Sequence, residues 1–168
     1  MRELLIATRN EKKKNELRIL LNGIDVRILT LRNFNGLPTI VEDGKSFKEN
    51  AVKKAVTSAG LTGKFTLADD SGLEVDALGN KPGIYSARFA GRYANDSKNN
   101  LKLLKLLKGV PLKKRRARFV CSIAIADKTG LIAVTQASCG GLIGFETKGT
   151  HGFGYDPLFF YPPYKQTF

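Results

Sequence analysis

The sequence predicts a mixed α/β fold in which short strands and helices follow one another along the chain. Apolar runs of strand length occur at Leu4–Ala7 and Phe65–Ala68, and apolar residues repeat at helical spacing after Ser46. The chain has 168 residues, 42% of them hydrophobic, which is enough to form a core and argues against global disorder. We therefore expect one domain spanning residues 1–168.

Two strands and a helix are predicted before residue 33. Leu4–Ala7 forms the first strand and Asp25–Thr30 the second. Between them we expect a helix at Glu11–Asn22, because three leucines share one face of that segment: Leu17, Leu20 and Leu21. A loop is predicted from Asn33 to Asp43.

The second helix has clear sequence signals at both ends. Ser46 and Glu49 form a capping box, which satisfies backbone N–H groups at the start of a helix. Apolar side chains then repeat at helical spacing, and Gly60 is predicted to end the helix.

A strand, a turn and a second strand are predicted around Asp69–Gly72, with Phe65–Ala68 before the turn and Leu73–Ala77 after it. Further along, a third helix is indicated by Leu101, Leu104 and Leu107. Ala117–Ile125 alternates as a long strand that pairs with Leu131–Ala137 through a turn at 128–130.

Positive charge dominates the composition. There are 28 Lys and Arg residues against 15 Asp and Glu, a net charge of +13, and nine of the basic residues lie between Ser97 and Ala126 without an acid among them. Such a block attracts polyanions, so a nucleotide or a nucleic acid is the class of partner that the charge indicates. The alternative is that the run at Lys113–Arg116 is a solvated helix face and loop.

Several classes of protein are excluded by what the sequence lacks. No stretch is long and apolar enough for a transmembrane helix, and no secretory signal pattern is present, so we expect a cytoplasmic protein. Cys121 and Cys139 have no spacing typical of a zinc site or a disulfide framework and are predicted to be small buried hydrophobes. His151 is the only histidine and no G-x-S-x-G motif accompanies it, so the chemistry should rest on carboxylates, lysines and backbone amides.

Thr8-Arg9-Asn10 joins the first strand to a helix whose first turn carries Lys12, Lys13 and Lys14. Helix N-termini expose N–H groups and a partial positive charge, so this turn suits a phosphate group. The alternative interpretation is an ordinary Asn10 N-cap with lysines on the surface.

Asp69 and Asp70 follow an apolar strand, at the position where α/β sheets present active-site residues. Adjacent carboxylates repel one another unless a positive charge lies beside them, and Mg²⁺ is commonly held by one or two carboxylates. The alternative is a turn with solvated acids, because Asp, Ser and Gly are all turn residues.

The segment from Gly149 to Pro157 is rich in glycine yet contains Phe153, Tyr155 and Asp156. Glycines permit close backbone approach, and an aromatic ring can stack on a base. A structural hairpin corner is the alternative.

Taken together, these segments resemble the inosine/xanthosine triphosphate pyrophosphatase family. The matching blocks are ATRNEKK, EDGKSFKENAVKKA, LADDSGLEVDALGNKPGIYSARFAG, ARFVCSIAIAD and GFGYDPLF, which span Ala7 to Phe159. The resemblance implies an elongated mixed central sheet with flanking helices around a central nucleotide-binding cleft. It also implies a homodimer and Mg²⁺-dependent hydrolysis between the α- and β-phosphates of non-standard purine nucleotides (ITP, dITP and XTP).

The same resemblance implies roles for individual residues. Thr8, Asn10 and Lys13 match the phosphate-binding turn, with Arg9 inside it, and Lys54 matches the lysine of the motif E-N-A-x-x-K-A. Glu42 and Asp70 match the metal-binding acids, and Asp70 also matches the proposed catalytic base. The other substrate-binding positions that the resemblance implies are Ser71, Phe153, Gly154, Tyr155 and Asp156.

Three features depart from the family pattern. Arg9 stands where a small glycine is common, and His151 replaces a frequent glycine. Family members also continue through a further helix and a Ser-His-Arg motif that helps to recognise the purine, so we expect this chain to be shortened at its C-terminus and its base discrimination to be degraded.

Two further hypotheses compete with hydrolysis of purine triphosphates. One is a basic nucleic-acid-binding module that uses the block between Lys98 and Arg118. The other is a pyrophosphatase for modified pyrimidine or methylated nucleotides on a similar fold.

Overall fold

A computed structural model describes residues 2–149 and 152–168 and contains, over those residues, eight strands and three α-helices. The helices are α1 (Glu11–Leu20), α2 (Phe47–Thr62) and α3 (Asp96–Leu106). The strands are β1 (Arg2–Ile6), β2 (Val26–Thr30), β3 (Phe65–Val75), β4 (Lys81–Pro82), β5 (Arg116–Asp127), β6 (Gly130–Ile143), β7 (Phe159–Tyr161) and β8 (Gln166–Thr167).

The strands form one sheet in the order β2-β1-β3-β5-β6-β7-β8, and β4 pairs with the end of β3. β1 runs parallel to both of its neighbours, with Leu5 opposite Leu29 of β2 and Thr66 of β3. β7 runs antiparallel to β6 and β8. The predicted mixed α/β class with helices flanking a central sheet is therefore confirmed.

The chain divides into two compact units. The first consists of Met1–Asp70 with Cys121–Gln136, and the second of Ser71–Val120 with Ala137–Phe168. β3 passes from the first unit to the second between Asp70 and Ser71.

Helices α1 and α2 cover opposite faces of the sheet in the first unit. Ile6 of β1 and Leu67 of β3 pack in one cluster with Leu17 of α1. The next residues along the two strands pack in a second cluster with three alanines of α2: Ala7, Ala68, Ala51, Ala55 and Ala59. Because successive residues of a strand point to opposite faces, the chain must change faces between α1 and α2.

The second unit has its own core, in which Leu103 of α3 and Leu107 at its C-terminal cap pack with residues of β3, β6 and β7: Leu73, Val75, Ile143 and Phe159. Leu104 is partly buried and Leu101 is 67% exposed. The third helix is confirmed, although of the three leucines that indicated it only Leu107 is fully buried.

The helix ends differ from those predicted. α1 stops at Leu20, which is 75% exposed, and only Leu17 of its three predicted core leucines is buried. α2 continues through Gly60 to Thr62, and Gly63 ends it in the left-handed conformation, with φ of 67°. Left-handed backbone at a helix end favours glycine, so Gly63 rather than Gly60 is the terminator.

The turn predicted at Asp69–Gly72 is wrong, because β3 runs without interruption from Phe65 to Val75. Asp69 and Asp70 are 5% and 7% exposed, respectively. The alternative interpretation of Asp69 and Asp70 as solvated acids in a turn is therefore also wrong. Both are buried carboxylates, which need specific partners within the fold.

Other predictions concern the long strand β5 and the cysteines. In the first unit the more buried face of β5 carries Ser122, Ala124 and Ala126, whereas Ile123 and Ile125 are only partly buried. Cys121 and Cys139 are free and half-buried rather than buried. No helix within the described residues has the length and apolar character needed to span a bilayer.

Candidate active site

The candidate site of the first unit lies where β1 ends and β3 continues. The last β1–β3 pair is Ile6 with Leu67, and the backbone N–H of Ala7 donates to Leu67 O at 2.8 Å. Since α1 and α2 cover opposite faces, this edge is the switch point at which parallel α/β sheets bind their ligands. Thr8 to Lys13 leave β1 here, and Asp69 and Asp70 follow Leu67 on β3.

The turn after β1 is an Asn-capped helix start. Asn10 Oδ1 accepts from the backbone N–H groups of Lys12 at 2.9 Å and of Lys13 at 3.2 Å. Thr8 Oγ1 accepts from the N–H of Asn10 at 3.2 Å. The Asn10 N-cap is thus present, and the N–H groups of Asn10, Lys12 and Lys13 already have acceptors within the turn.

Lys13 reaches from α1 to β3. Its Nζ lies 2.7 Å from Asp69 Oδ2, with 19% of the lysine side chain and 6% of the aspartate side chain exposed. Asp69 Oδ1 is buried and has no hydrogen-bond partner among the described residues. The pair places a partly accessible ammonium group beside an incompletely satisfied carboxylate at the edge of the sheet.

Lys54 of α2 links the two other acids of the site. Its Nζ lies 2.9 Å from Glu42 Oε1 and 3.4 Å from Asp70 Oδ1. Burial by itself lowers the pKa of Lys54, but the carboxylates of Asp70 and Glu42 outweigh burial, so that its pKa is raised above the ordinary value.

Burial has the largest effect on Asp70 and raises the pKa of its carboxyl group. The ammonium of Lys54 and the amide of Asn50 act in the opposite direction, and nearby Glu42 adds to the increase. Burial therefore makes ionisation of Asp70 more costly than ionisation of an ordinary aspartate.

Only a small set of residues is available to hold a metal ion. Among the described residues, no group of three or more His, Cys, Asp or Glu side chains could hold one. Glu42 and Asp70 nevertheless converge on one cation, the Lys54 ammonium group. Two convergent carboxylates fit Mg²⁺, which usually keeps several waters and is completed by substrate phosphates rather than by a cage of protein ligands.

An open pocket of about 480 Å³ adjoins the turn after β1 within the first unit. Thr8 and Arg9 line it together with Lys14, Arg32 and the ring of Phe34. Arg9 is exposed, and its Nη2 lies 3.5 Å from Pro38 O. Glu11 pairs with both Lys14 and Arg32, so three cations and one acid leave the lining net positive.

The second unit contains the remaining predicted residues. Ser71 is half-buried on β3, on the opposite strand face from Asp70. Asp156 closes its own turn, since its Oδ2 accepts from the N–H of Phe153 at 2.7 Å. Tyr155 is 4% exposed and donates to Ser86 O at 2.9 Å, so its ring belongs to the core, whereas Phe153 is half-buried.

Two residues of α3 hold the glycine turn from outside it. Asp96 Oδ2 accepts from the N–H of Gly154 at 2.8 Å, and Asn100 Nδ2 donates to Gly154 O at 2.9 Å. Sequence reasoning did not find either residue. His151, predicted to alter the geometry of this turn, lies outside the described residues.

Asn50 is a third residue that sequence reasoning missed. It is 1% exposed on α2 and donates to Asp70 Oδ2 at 3.1 Å. It lies within the motif E-N-A-x-x-K-A, of which only the lysine was assigned a role.

The basic block is partly internal. Arg115 is 3% exposed and donates to three backbone carbonyls, those of Val110 at 2.9 Å, Gly144 at 2.6 Å and Leu107 at 2.8 Å. Arg118 pairs with Glu74 at 2.7 Å. The alternative interpretation expected the run at Lys113–Arg116 to be a solvated face. Arg115 departs from it, because its side chain is buried and satisfies carbonyl groups.

Bacterial proteins named dITP/XTP pyrophosphatase are similar to this chain along nearly its whole length. A relative from Desulforamulus reducens named dITP/XTP pyrophosphatase is 52% identical over 166 residues, covering 99% of this chain and 83% of the relative. A relative from Geobacter sulfurreducens with the same name is 48% identical over 160 residues, covering 95% of this chain and 80% of the relative.

Solved structures agree with the sequence comparison. A HAM1 protein from Coxiella burnetii superposes with a TM-score of 0.90 at 36% identity, covering 99% of this chain and 85% of that one. The nucleoside-triphosphatase / dITP/XTP pyrophosphatase from Mycobacterium abscessus gives a TM-score of 0.84 at 38% identity, covering 98% and 86%. The model of the Ham1 family matches residues 4–168, so the chain belongs to the Ham1 family.

Proposed function

We propose that this chain hydrolyses the non-standard purine nucleoside triphosphates dITP, ITP and XTP to the monophosphate and pyrophosphate, and so cleanses the nucleotide pool. Relatives at 52% and 48% identity bear the name dITP/XTP pyrophosphatase. The observation that carries the proposal is that Lys13–Asp69 and Glu42–Lys54–Asp70 both lie at the edge of the sheet where the parallel strands present ligand-binding residues.

The lysines of the first unit suit the binding of a triphosphate. Phosphoryl transfer depends mainly on positioning and charge stabilisation, and Lys13 and Lys54 provide ammonium groups at one edge of the sheet. Thr8, Arg9 and Asn10 shape the turn beside them, and the net positive pocket at Arg9 extends the region that attracts anions.

Glu42 and Asp70 are the residues that would hold Mg²⁺. Bound there, Mg²⁺ would neutralise phosphate charge and act as a Lewis acid. Asp70 would in addition orient the attacking water and accept its proton.

Residues of the second unit are proposed to recognise the nucleoside. Ser71 and Gly154 offer polar backbone or side-chain groups, and the half-buried ring of Phe153 is the available aromatic surface for a base. Tyr155 and Asp156 act by holding the turn in shape, since the hydroxyl of Tyr155 and the carboxylate of Asp156 both have partners within the unit. We extend the proposal to a homodimer that works in the cytoplasm.

Product analysis tests this function. The protein is incubated with dITP, ITP, XTP, ATP or GTP, with Mg²⁺ or with EDTA, and monophosphate, pyrophosphate and orthophosphate are quantified. We expect equal amounts of monophosphate and pyrophosphate from dITP, ITP and XTP, and only with Mg²⁺. Release of orthophosphate and a diphosphate, or no turnover of any triphosphate, would overturn the proposal.

A further inference from the structure

Asn50 is a buried amide with both of its polar atoms in use. Its Oδ1 accepts from the backbone N–H of Gly44 at 2.8 Å, and its Nδ2 donates to Asp70 Oδ2 at 3.1 Å. A backbone N–H can only donate, so Oδ1 must face Gly44 and the NH₂ group must face Asp70. The orientation of the amide is therefore fixed by its surroundings.

We propose that Asn50 is a positioning residue that fixes the Asp70 carboxylate and the loop carrying Glu42 in one arrangement. The inference rests on the proposed function, in which Glu42 and Asp70 hold the metal ion. It adds a residue that has no contact of its own with the metal or the substrate.

The two oxygens of Asp70 have different partners. Oδ2 is held by the Asn50 amide, and Oδ1 faces the Lys54 ammonium group at 3.4 Å. A donor on Oδ2 stops the carboxylate from rotating, so that Oδ1 stays on the side of Lys54 and Glu42. Because the amide is neutral, it orients Asp70 without cancelling the negative charge that a metal ion requires.

Gly44 gives independent support, because the loop can approach Asn50 only where a side chain is absent. A Cβ added at Gly44 would lie 2.7 Å from Asn50 Oδ1 and 2.9 Å from the Cβ of Glu49. Glu42 lies two residues before this contact. The bond from Gly44 to Asn50 therefore sets how closely the Glu42 loop packs on α2.

A purely structural role is the competing explanation, and the chain contains a matched control. Asn99 of α3 is 3% exposed, its Oδ1 accepts from the N–H of Ala90 at 2.8 Å, and its Nδ2 donates to Ala87 O at 3.2 Å. Both asparagines are buried, and each accepts one hydrogen bond from a backbone N–H. The amide NH₂ of Asn99 donates to a backbone carbonyl, whereas that of Asn50 donates to a carboxylate.

The experiment compares Asn50→Leu with Asn99→Leu in the full chain. Leucine has the same branched arrangement of four side-chain heavy atoms as asparagine, with bulkier methyl groups, and removes both hydrogen bonds. Affinity for Mn²⁺ without nucleotide is measured by electron paramagnetic resonance, together with kcat and KM for dITP and the melting temperature. We expect both variants to melt earlier, but only Asn50→Leu to lose Mn²⁺ affinity and kcat, each by about 10- to 100-fold, the usual effect of losing a group that orients a metal ligand.

Equal loss of melting temperature in the two variants, with Mn²⁺ affinity and kcat retained in Asn50→Leu, would overturn the inference. If Asn50→Leu does not fold, Gly44→Ala replaces it, because the added Cβ moves the loop without removing a polar group. This variant should bind Mn²⁺ more weakly than wild type. Wild-type Mn²⁺ affinity in folded Gly44→Ala would contradict the proposal. Wild-type protein that binds no Mn²⁺ would overturn it as well. Mn²⁺ binding without turnover of any triphosphate would instead refute the proposed function and leave the positioning role to be decided by the variants.

Discussion

At the scale of single residues, the candidate site is built from ion pairs that are neither fully buried nor fully exposed. Lys13 and Lys54 have 19% and 13% of their side chains exposed, and each is held by a more deeply buried aspartate. An exposed lysine would be screened by solvent, whereas these ammonium groups are oriented before a ligand arrives. Replacing Lys13 or Lys54 should therefore weaken nucleotide binding more than replacing a surface lysine does.

Lys13→Ala should raise KM for dITP by about 10- to 100-fold, since a hydrogen bond to a charged group contributes about 1.5–3 kcal/mol. Lys114→Ala is the matched control, because Lys114 lies on the surface within the basic block. Steady-state kinetics of both variants give the comparison. Equal increases in KM would mean that the protein attracts nucleotides by diffuse charge and not through a dedicated site.

At the scale of elements, α2 places two residues of the site, and its start explains why they are in register. Ser46 Oγ accepts from the N–H of Glu49 at 3.1 Å and so fixes the start of the helix, one turn before Asn50 and two turns before Lys54. Gly63 ends the helix with left-handed backbone, and Gly60 lies in an exposed helical position with no atom within 4 Å of an added Cβ.

The two glycines should respond oppositely to substitution. Gly60→Ala should raise the free energy of unfolding by up to about 1 kcal/mol, because alanine is the better helix former. Gly63→Ala should lower it by about 1 kcal/mol, because a Cβ disfavours left-handed backbone. Urea denaturation of both variants tests this, and the reverse order would show that the helix ends at Gly60.

Arg115, the residue before β5, allows a similar test. Arg115→Met should lower the free energy of unfolding by about 1–3 kcal/mol for each buried carbonyl group that it leaves without a donor. Lys114→Met should have little effect. Comparable denaturation midpoints for the two variants would contradict a structural role for Arg115.

Local sequence patterns predicted most elements but not how β3 and the site depend on distant residues. The capping box at Ser46 and the apolar run at Leu4–Ala7 act through near neighbours, so they can be recognised in the sequence. Asp69 and Asp70 read as a turn because their stabilising partners, Lys13 and Lys54, are 56 and 16 residues away.

The same reason explains which site residues were missed. Glu42 and Lys54 were predicted only through resemblance to family motifs, whereas Asp70 was also expected from its place after an apolar strand. Asn50, Asp96 and Asn100 act through long-range bonds to Asp70 and Gly154, and local composition contains no signal for such contacts.

At the scale of the whole molecule, the net charge of +13 acts on any polyanion near the protein. Part of that charge already has partners within the protein, since Arg115 donates hydrogen bonds to carbonyl groups and Arg118 forms an ion pair with Glu74. The remaining charge should assist the encounter with triphosphates without specifying a nucleic acid.

Duplex DNA should therefore be a weak inhibitor that loses its effect as salt increases. At about 0.15 M salt the Debye length is about 8 Å, so attraction between exposed charges is largely screened. Turnover of dITP is measured with and without duplex DNA at low and at physiological salt. Strong inhibition that persists at physiological salt would favour the nucleic-acid-binding hypothesis.

Pyrophosphate release from dITP by Asp70→Asn, compared with wild type and with Asp69→Asn, tests the central claim most directly. Asparagine keeps the size of Asp70 and one oxygen but removes the charge, so melting temperatures recorded in parallel separate loss of chemistry from loss of folding. The account predicts that kcat falls by about 10²–10⁴-fold in folded Asp70→Asn, as expected for a positioned acid–base group. Turnover by Asp70→Asn close to that of wild type would contradict it, and loss of turnover in Asp69→Asn alone would assign the role to Asp69.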